Sequence, residues 1–176
     1  MVEPAVVAAV RATKNGRIGM VATRASVSSG AYERYFREIA PEVQVFSQAC
    51  PLFVPLVEEG RCSVGDIVIE TVAREYLEPM REENIDTLIL GCTHYPLLTE
   101  IIADVMGPEV ELINVGQEAA WEMKRTLERM DLLSDAPQGE TVLSASDRPE
   151  DFGVLAGQFL QQELRGTVRG VNIEQY

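Results

Sequence analysis

A thiol and the only imidazole of the chain lie two residues apart in Gly91-Cys92-Thr93-His94, directly behind the apolar stretch Leu88-Ile89-Leu90. A cysteine at the end of a buried strand, with glycine before it and a polar turn into a helix after it, can present its sulfur to a cleft. Unpaired amides and the helix dipole at such a turn favour the thiolate, and a neighbouring imidazole can favour it further or relay its proton. Such a sulfur can act as a nucleophile or as a general base. The residue types also admit a plain structural reading, because free cysteines are among the most buried residues and a single histidine often serves as a hydrogen-bonding core residue. Nucleophilic catalysis needs an oriented base and an oxyanion hole, and a Cys-x-His pair within one turn does not ensure that both side chains point the same way. Zinc is a weaker alternative: Cys50, Cys62, Cys92 and His94 lack the paired Cys-x-x-Cys spacing of a zinc site, so no metal is expected. Cys50 and Cys62 are assigned to apolar filling.

The elements that must place Cys92 follow from periodicity. Residues 4–14 repeat apolar positions at helical spacing, 17–23 read as a short buried strand, and a helix follows over roughly 28–39. The cycle recurs as a strand near 43–49, a short helix 53–59, a longer amphipathic helix 63–82 and a strand 86–90. A helix 97–106 and a strand 110–114 complete it. Alternation at this spacing predicts right-handed crossovers and the α/β class, a mainly parallel sheet with helices on both faces. Ligands of such sheets sit beyond the carboxyl ends of the strands, where Thr23-Arg24-Ala25-Ser26 and Gly91-Cys92-Thr93-His94 both fall. From Gln117 the pattern changes to a long helix reaching about Met130, a polar loop, a strand TVLSAS, a helix 149–162 and VRGVNI. Two candidate strands bury little alone, so residues 116–176 are expected to form an α/β tail leaning on another sheet, beside a domain spanning 1–115.

Composition narrows the partners. With 28 acidic and 15 basic residues the formal net charge is −13, which argues against a nucleic-acid backbone or an anionic membrane surface as partner. A small anion stays admissible, because backbone amides at helix N-termini can hold a carboxylate in an acidic protein. The start MVEPAVVAAVRATKNG lacks the basic region and long apolar core of a signal peptide, and three cysteines are an odd number, so reduced thiols and a cytoplasmic location are expected.

The motifs together resemble one family. LILGCTHYPLL is similar to the second catalytic motif of the glutamate racemases, and Glu3-Pro4-Ala5-Val6, GMVATRASVSSGAY and ACPLFVPLVEEG occur in that family's order at about its spacing. The resemblance covers most of residues 1–115 and, more weakly, the tail. It implies one half of a two-domain fold in which each domain contributes one cysteine, and a cofactor-independent exchange of L- and D-glutamate that supplies D-glutamate for peptidoglycan. On that reading Cys92 acts on L-glutamate, with Thr93 a substrate contact and His94 its acid/base neighbour. Thr23 and Ser26 match the substrate-binding turn, and Glu58 matches a glutamate that pairs with the motif histidine. Judged without the resemblance, Thr23 and Ser26 are ordinary helix-capping residues and Glu58 a solvated helix-end charge. His-Tyr-Pro after Cys-Thr favours the glutamate over the aspartate racemases.

The family's glycine-rich Asp-Ser turn and Cys-Asn-Thr turn have no counterpart here. The expected partners are therefore glutamate and the N-terminal racemase domain, and self-association into a homo-oligomer stays open. The chain alone is expected to be inactive. The competing expectation is a non-catalytic binding or interaction module derived from a racemase half.

Overall fold

The computed structural model describes residues 2–135, 139, 141–160 and 168–175, apart from the side chains of 155 and 158. The chain divides into two units, Met1–Leu133 and Ser134–Tyr176.

The first unit alternates helices and strands: α1 Val2–Ala12, β1 Arg17–Ala22, α2 Arg24–Ser29, α3 Ala31–Ile39, β2 Gln44–Ala49, α4 Phe53–Glu58, α5 Ile67–Glu82 and β3 Thr87–Leu90. A 3-10 turn Tyr95–Leu98, α6 Thr99–Met106, β4 Glu111–Asn114 and α7 Val115–Arg129 follow. The four strands are parallel in the order β2-β1-β3-β4. Helices cover both faces, which is why the central strand β3 is buried at all four of its positions. On one face Ala5, Val6 and Ala9 of α1 and Tyr32 and Phe36 of α3 pack against Ile18, Met20, Ile89 and Ile113. On the other, Gly19 of β1 lies under Met80 of α5, Ile85 and Leu88 so closely that a β-carbon would stand 2.4 Å from Ile85. Each large apolar side chain buried in these layers contributes about 1.5–3 kcal/mol. Among the described residues no helix is long and apolar enough to cross a membrane.

Asp86 ties the loop after α1 to the start of β3. Its carboxylate accepts from Thr13 Oγ1 (2.6 Å) and from the amides of Lys14 and Asn15 (2.7 Å each). Burial opposes its charge, but these bonds and the Thr87 hydroxyl outweigh it and hold the carboxyl below its ordinary value.

Several boundaries differ from the sequence expectation, each for a local reason. The helix expected over 28–39 is two helices, because Gly30 takes a left-handed conformation (φ 61°) that ends α2 and starts α3. The helix expected from 63 starts at Ile67, where Asp66 caps it by accepting from the Val68 amide at 3.0 Å. The helix expected from 97 opens as a 3-10 turn at Tyr95. The helix expected from 117 starts at Val115, because Asn114 Oδ1 accepts from the Gly116 and Gln117 amides. Val115 is part of the core with α1, so α7 stays with the first unit and the division follows Leu133.

In the second unit β5 Ser144–Ala145 pairs in parallel with β6 Arg169–Gly170, and α8 Pro149–Leu160 and a 3-10 turn Ile173–Gln175 are its other elements among the described residues. The strand expected over TVLSAS shrinks to two residues, and residues 161 and 162 of the expected helix lie outside the described ones.

Candidate active site

Strand β3 delivers Cys92 to the carboxyl edge of the sheet. The Gly91 amide continues the ladder by donating to the Val21 carbonyl (2.8 Å), and a β-carbon on Gly91 would lie 2.9 Å from that oxygen and 3.1 Å from Ala22 Cβ. Only glycine lets the turn after β3 lie this close to the turn after β1. Cys92, half-buried, then places Sγ 3.8 Å from His94 Nδ1. The exposed Thr93 has its hydroxyl 3.4 Å from the same nitrogen. The opposite ring nitrogen, Nε2, lies 3.4 Å from Oε1 of Glu58, the last residue of α4. Glu58 is half-exposed (50% of its side chain), so as a bare ion pair this contact is weak. Its chemical value is directional: with the Nε2 proton facing Glu58, Nδ1 is left as the acceptor that faces the thiol. Sulfur, imidazole and carboxylate thus form a line along which a proton can pass to or from Cys92.

The neighbouring turn after β1 holds Thr23 and Ser26. Thr23 caps α2, accepting the Ser26 amide at 3.3 Å, and the two hydroxyl oxygens lie 3.0 Å apart. Thr23 is thus the cap of α2, whereas Ser26 lies in its first turn as the residue whose amide is capped. Because Ala22 ends β1 beside the Gly91 turn, both lie at the same sheet edge as Cys92. The six sequence-selected residues lie in the connections that follow β1, β2 and β3 or in the short helices α2 and α4 that those connections open. Among the described residues no three His, Cys, Asp or Glu side chains gather as metal ligands would.

The family model for Asp/Glu/Hydantoin racemases matches residues 1–123. The chain belongs to this family. It is 44% identical over 165 residues to the glutamate racemase of Mycobacterium tuberculosis (strain ATCC 25177 / H37Ra), an alignment covering 93% of this chain and 60% of that protein. Among solved structures it is similar to a glutamate racemase isoform from Bacillus anthracis, with a TM-score of 0.89, 31% identity, and coverage of 98% of this chain and 63% of the other. It is similar also to the glutamate racemase of Francisella tularensis solved in complex with D-glutamate, with a TM-score of 0.87, 32% identity, and coverage of 99% and 64%. The chain spans about three fifths of the length of the relatives it matches.

In this racemase-family chain the three thiols have different surroundings. Cys50 is fully buried, and burial pushes its thiol up to about 12. Cys62 sits half-exposed in the loop between α4 and α5. Cys92 alone combines access with a facing imidazole. Two phenols border it: burial, reinforced by negative charge at Cys92, pushes Tyr32 above the ordinary phenol value, and burial first and the charges of Cys50 and Cys92 next do the same to Tyr95. Neither tyrosine stood out in the sequence, although Tyr95 lies inside the motif itself. Alkylation of the native protein with iodoacetamide, read by peptide mapping, is expected to modify Cys92 first and Cys50 last. At pH 8 a thiol at 12 holds only about 10⁻⁴ of its population as thiolate. First reaction at Cys50 or Cys62 contradicts the assignment.

Proposed function

We propose that this chain is the C-terminal part of a cofactor-independent glutamate racemase, in which Cys92 transfers the α-proton on one face of glutamate. The observation that carries this reading is the line Cys92 Sγ, His94, Glu58 at the carboxyl edge of the sheet, with spacings of 3.8 and 3.4 Å. A thiolate at this position can take the α-proton as a general base, and the same group as a thiol returns a proton in the reverse direction. His94 receives or supplies that proton through Nδ1, and Glu58 fixes its tautomer. Thr93 and the hydroxyls of Thr23 and Ser26 bind the polar groups of the amino acid, and the amides around the two turns suit its carboxylates. The similarity to a structure holding D-glutamate supports glutamate as the substrate.

Inversion also needs an acid on the opposite face of the α-carbon. Cys50 is buried behind the sheet edge and belongs to the core, and Cys62 lies in the loop beyond α4, so neither is assigned that part. The second acid comes from an N-terminal racemase domain, which also covers apolar surface left open around α4 and α5 at Leu52, Val64, Ile67 and Val68. Product of the reaction is D-glutamate for peptidoglycan.

The test is complementation. The 176 residues alone, incubated with L-glutamate, are expected to form no D-glutamate by chiral chromatography. Fused behind the N-terminal domain of the Mycobacterium tuberculosis relative, they are expected to form it. Inversion by the isolated chain contradicts the two-domain reading, and a folded but inert chimera favours a binding module.

A further inference from the structure

We infer that Tyr95 is a positioning residue that sets the distance between His94 and Glu58 by fastening two strand-to-helix connections together. The inference rests on the reading of Cys92 and His94 as the reacting pair.

Tyr95 is fully buried, yet both of its hydrogen-bonding ends are used across the site. Its amide donates to the carbonyl of Cys92 (3.2 Å), which closes the turn that carries the thiol and the imidazole. Its hydroxyl donates to the carbonyl of Cys50 (2.9 Å), 45 residues away in the connection after β2. That same carbonyl accepts the amide of Phe53, the first residue of α4, at 3.3 Å. One oxygen is therefore shared by the turn bearing His94 and the helix bearing Glu58. The rings repeat the link: Phe53 meets Tyr95 edge to face, with centroids 5.2 Å apart and an interplanar angle of 87°, and Tyr76 of α5 backs Phe53 at 5.4 Å.

This arrangement answers a mechanical question left by the site. Glu58 ends a six-residue helix and is half-exposed, so the weak contact with His94 cannot hold α4 in place by itself. The buried Tyr95 hydroxyl can, because any shift of α4 away from it leaves that hydroxyl without its acceptor in an apolar surrounding. The N-terminus of α4 is pinned to the turn after β3, and Glu58, at the far end of the helix, is thereby aimed at Nε2.

The test uses the full chain and needs no turnover, so its outcome is separable from that of the complementation assay. With a single histidine in the sequence, ¹³C-labelled histidine gives one ring Cε1–H cross-peak, which reports the contact with Glu58. Tyr95→Phe removes the hydroxyl and keeps the ring with its magnetic shielding. It is expected to move the His94 cross-peak by half or more of the displacement produced by Glu58→Gln, in the same direction. The double variant is expected to coincide with Glu58→Gln, because both changes remove one contact. A cross-peak unmoved by Tyr95→Phe, or displacements that add in full, overturns the inference. 4-Aminophenylalanine at position 95, a weaker donor of the same shape, gives the same decision if Tyr95→Phe does not fold: displacement toward the Glu58→Gln position supports the inference, and none overturns it.

Discussion

Cys92→Ser in the chimera is expected to lower the rate of glutamate inversion by about 10³-fold or more, while circular dichroism stays that of the parent. The substitution keeps a small hydrogen-bonding side chain at the end of β3, so the fold is undisturbed and the loss reports chemistry. A serine hydroxyl holds its proton far more tightly than a thiol, and neither the His94 imidazole nor the helix termini at this edge compensate for that difference near neutral pH. Positioned acid–base groups are worth about 10²–10⁴-fold, and here the group lost is the one that meets the α-carbon. By contrast, Glu58→Gln acts on His94 alone and is expected to cost less. Inversion by the folded Cys92→Ser chimera at more than about a tenth of the parent rate removes Cys92 from proton transfer.

The second large effect lies in the unit after Leu133. Among the described residues its two strands share a ladder of two residue pairs, Ser144 with Arg169 and Ala145 with Gly170. Val142, Phe152, Val154, Leu160 and Ile173 all lie exposed, with Val154 at 66% and Ile173 at 68% of their surface. A pair of strands with so little buried cannot match the stability of a four-stranded sheet covered on both faces. In the 176-residue chain, hydrogen exchange at the amides of Arg169 and Val171, which bond across β5, is expected to be at least about 10³-fold less protected than at Leu88 to Leu90 in β3. Fusion to the N-terminal domain is expected to narrow the gap, because the exposed apolar side chains then gain a sheet to pack against. Equal protection in the two units of the free chain contradicts the idea that this segment was shaped for a partner.

How far the sequence could be read depended on whether the deciding interaction was local. The inner strands β1 and β3 were legible because each is a short, largely apolar run bounded by polar turns, and Thr87–Leu90 is buried at every position. The break at Gly30 was not, since periodicity continues through it and only the left-handed backbone reveals two helices. The division into compact units after Leu133 rests on tertiary packing. The change of pattern at Gln117 is real, but whether α7 goes with the first unit depends on the packing of Val115 against α1, which spacing does not encode. The site divided in the same way. Cys92 and His94 are neighbours in sequence, so their proximity could be anticipated. The approach of Glu58 to His94 needs the β2 and β3 connections side by side, and was expected only through resemblance to a family. Tyr95 escaped notice because its role depends on a carbonyl 45 residues distant.

The central claim, that Cys92 exchanges the α-proton of glutamate, is tested most directly by isotope. The chimera is incubated with L-glutamate in deuterium oxide, and the enantiomers are separated on a chiral column and weighed by mass spectrometry. Proton transfer through an exchangeable thiol predicts that D-glutamate formed early in the reaction carries deuterium at the α-carbon, and that Cys92→Ser forms none. D-glutamate that retains its original α-hydrogen, or labelled D-glutamate formed equally fast by Cys92→Ser, would contradict the account.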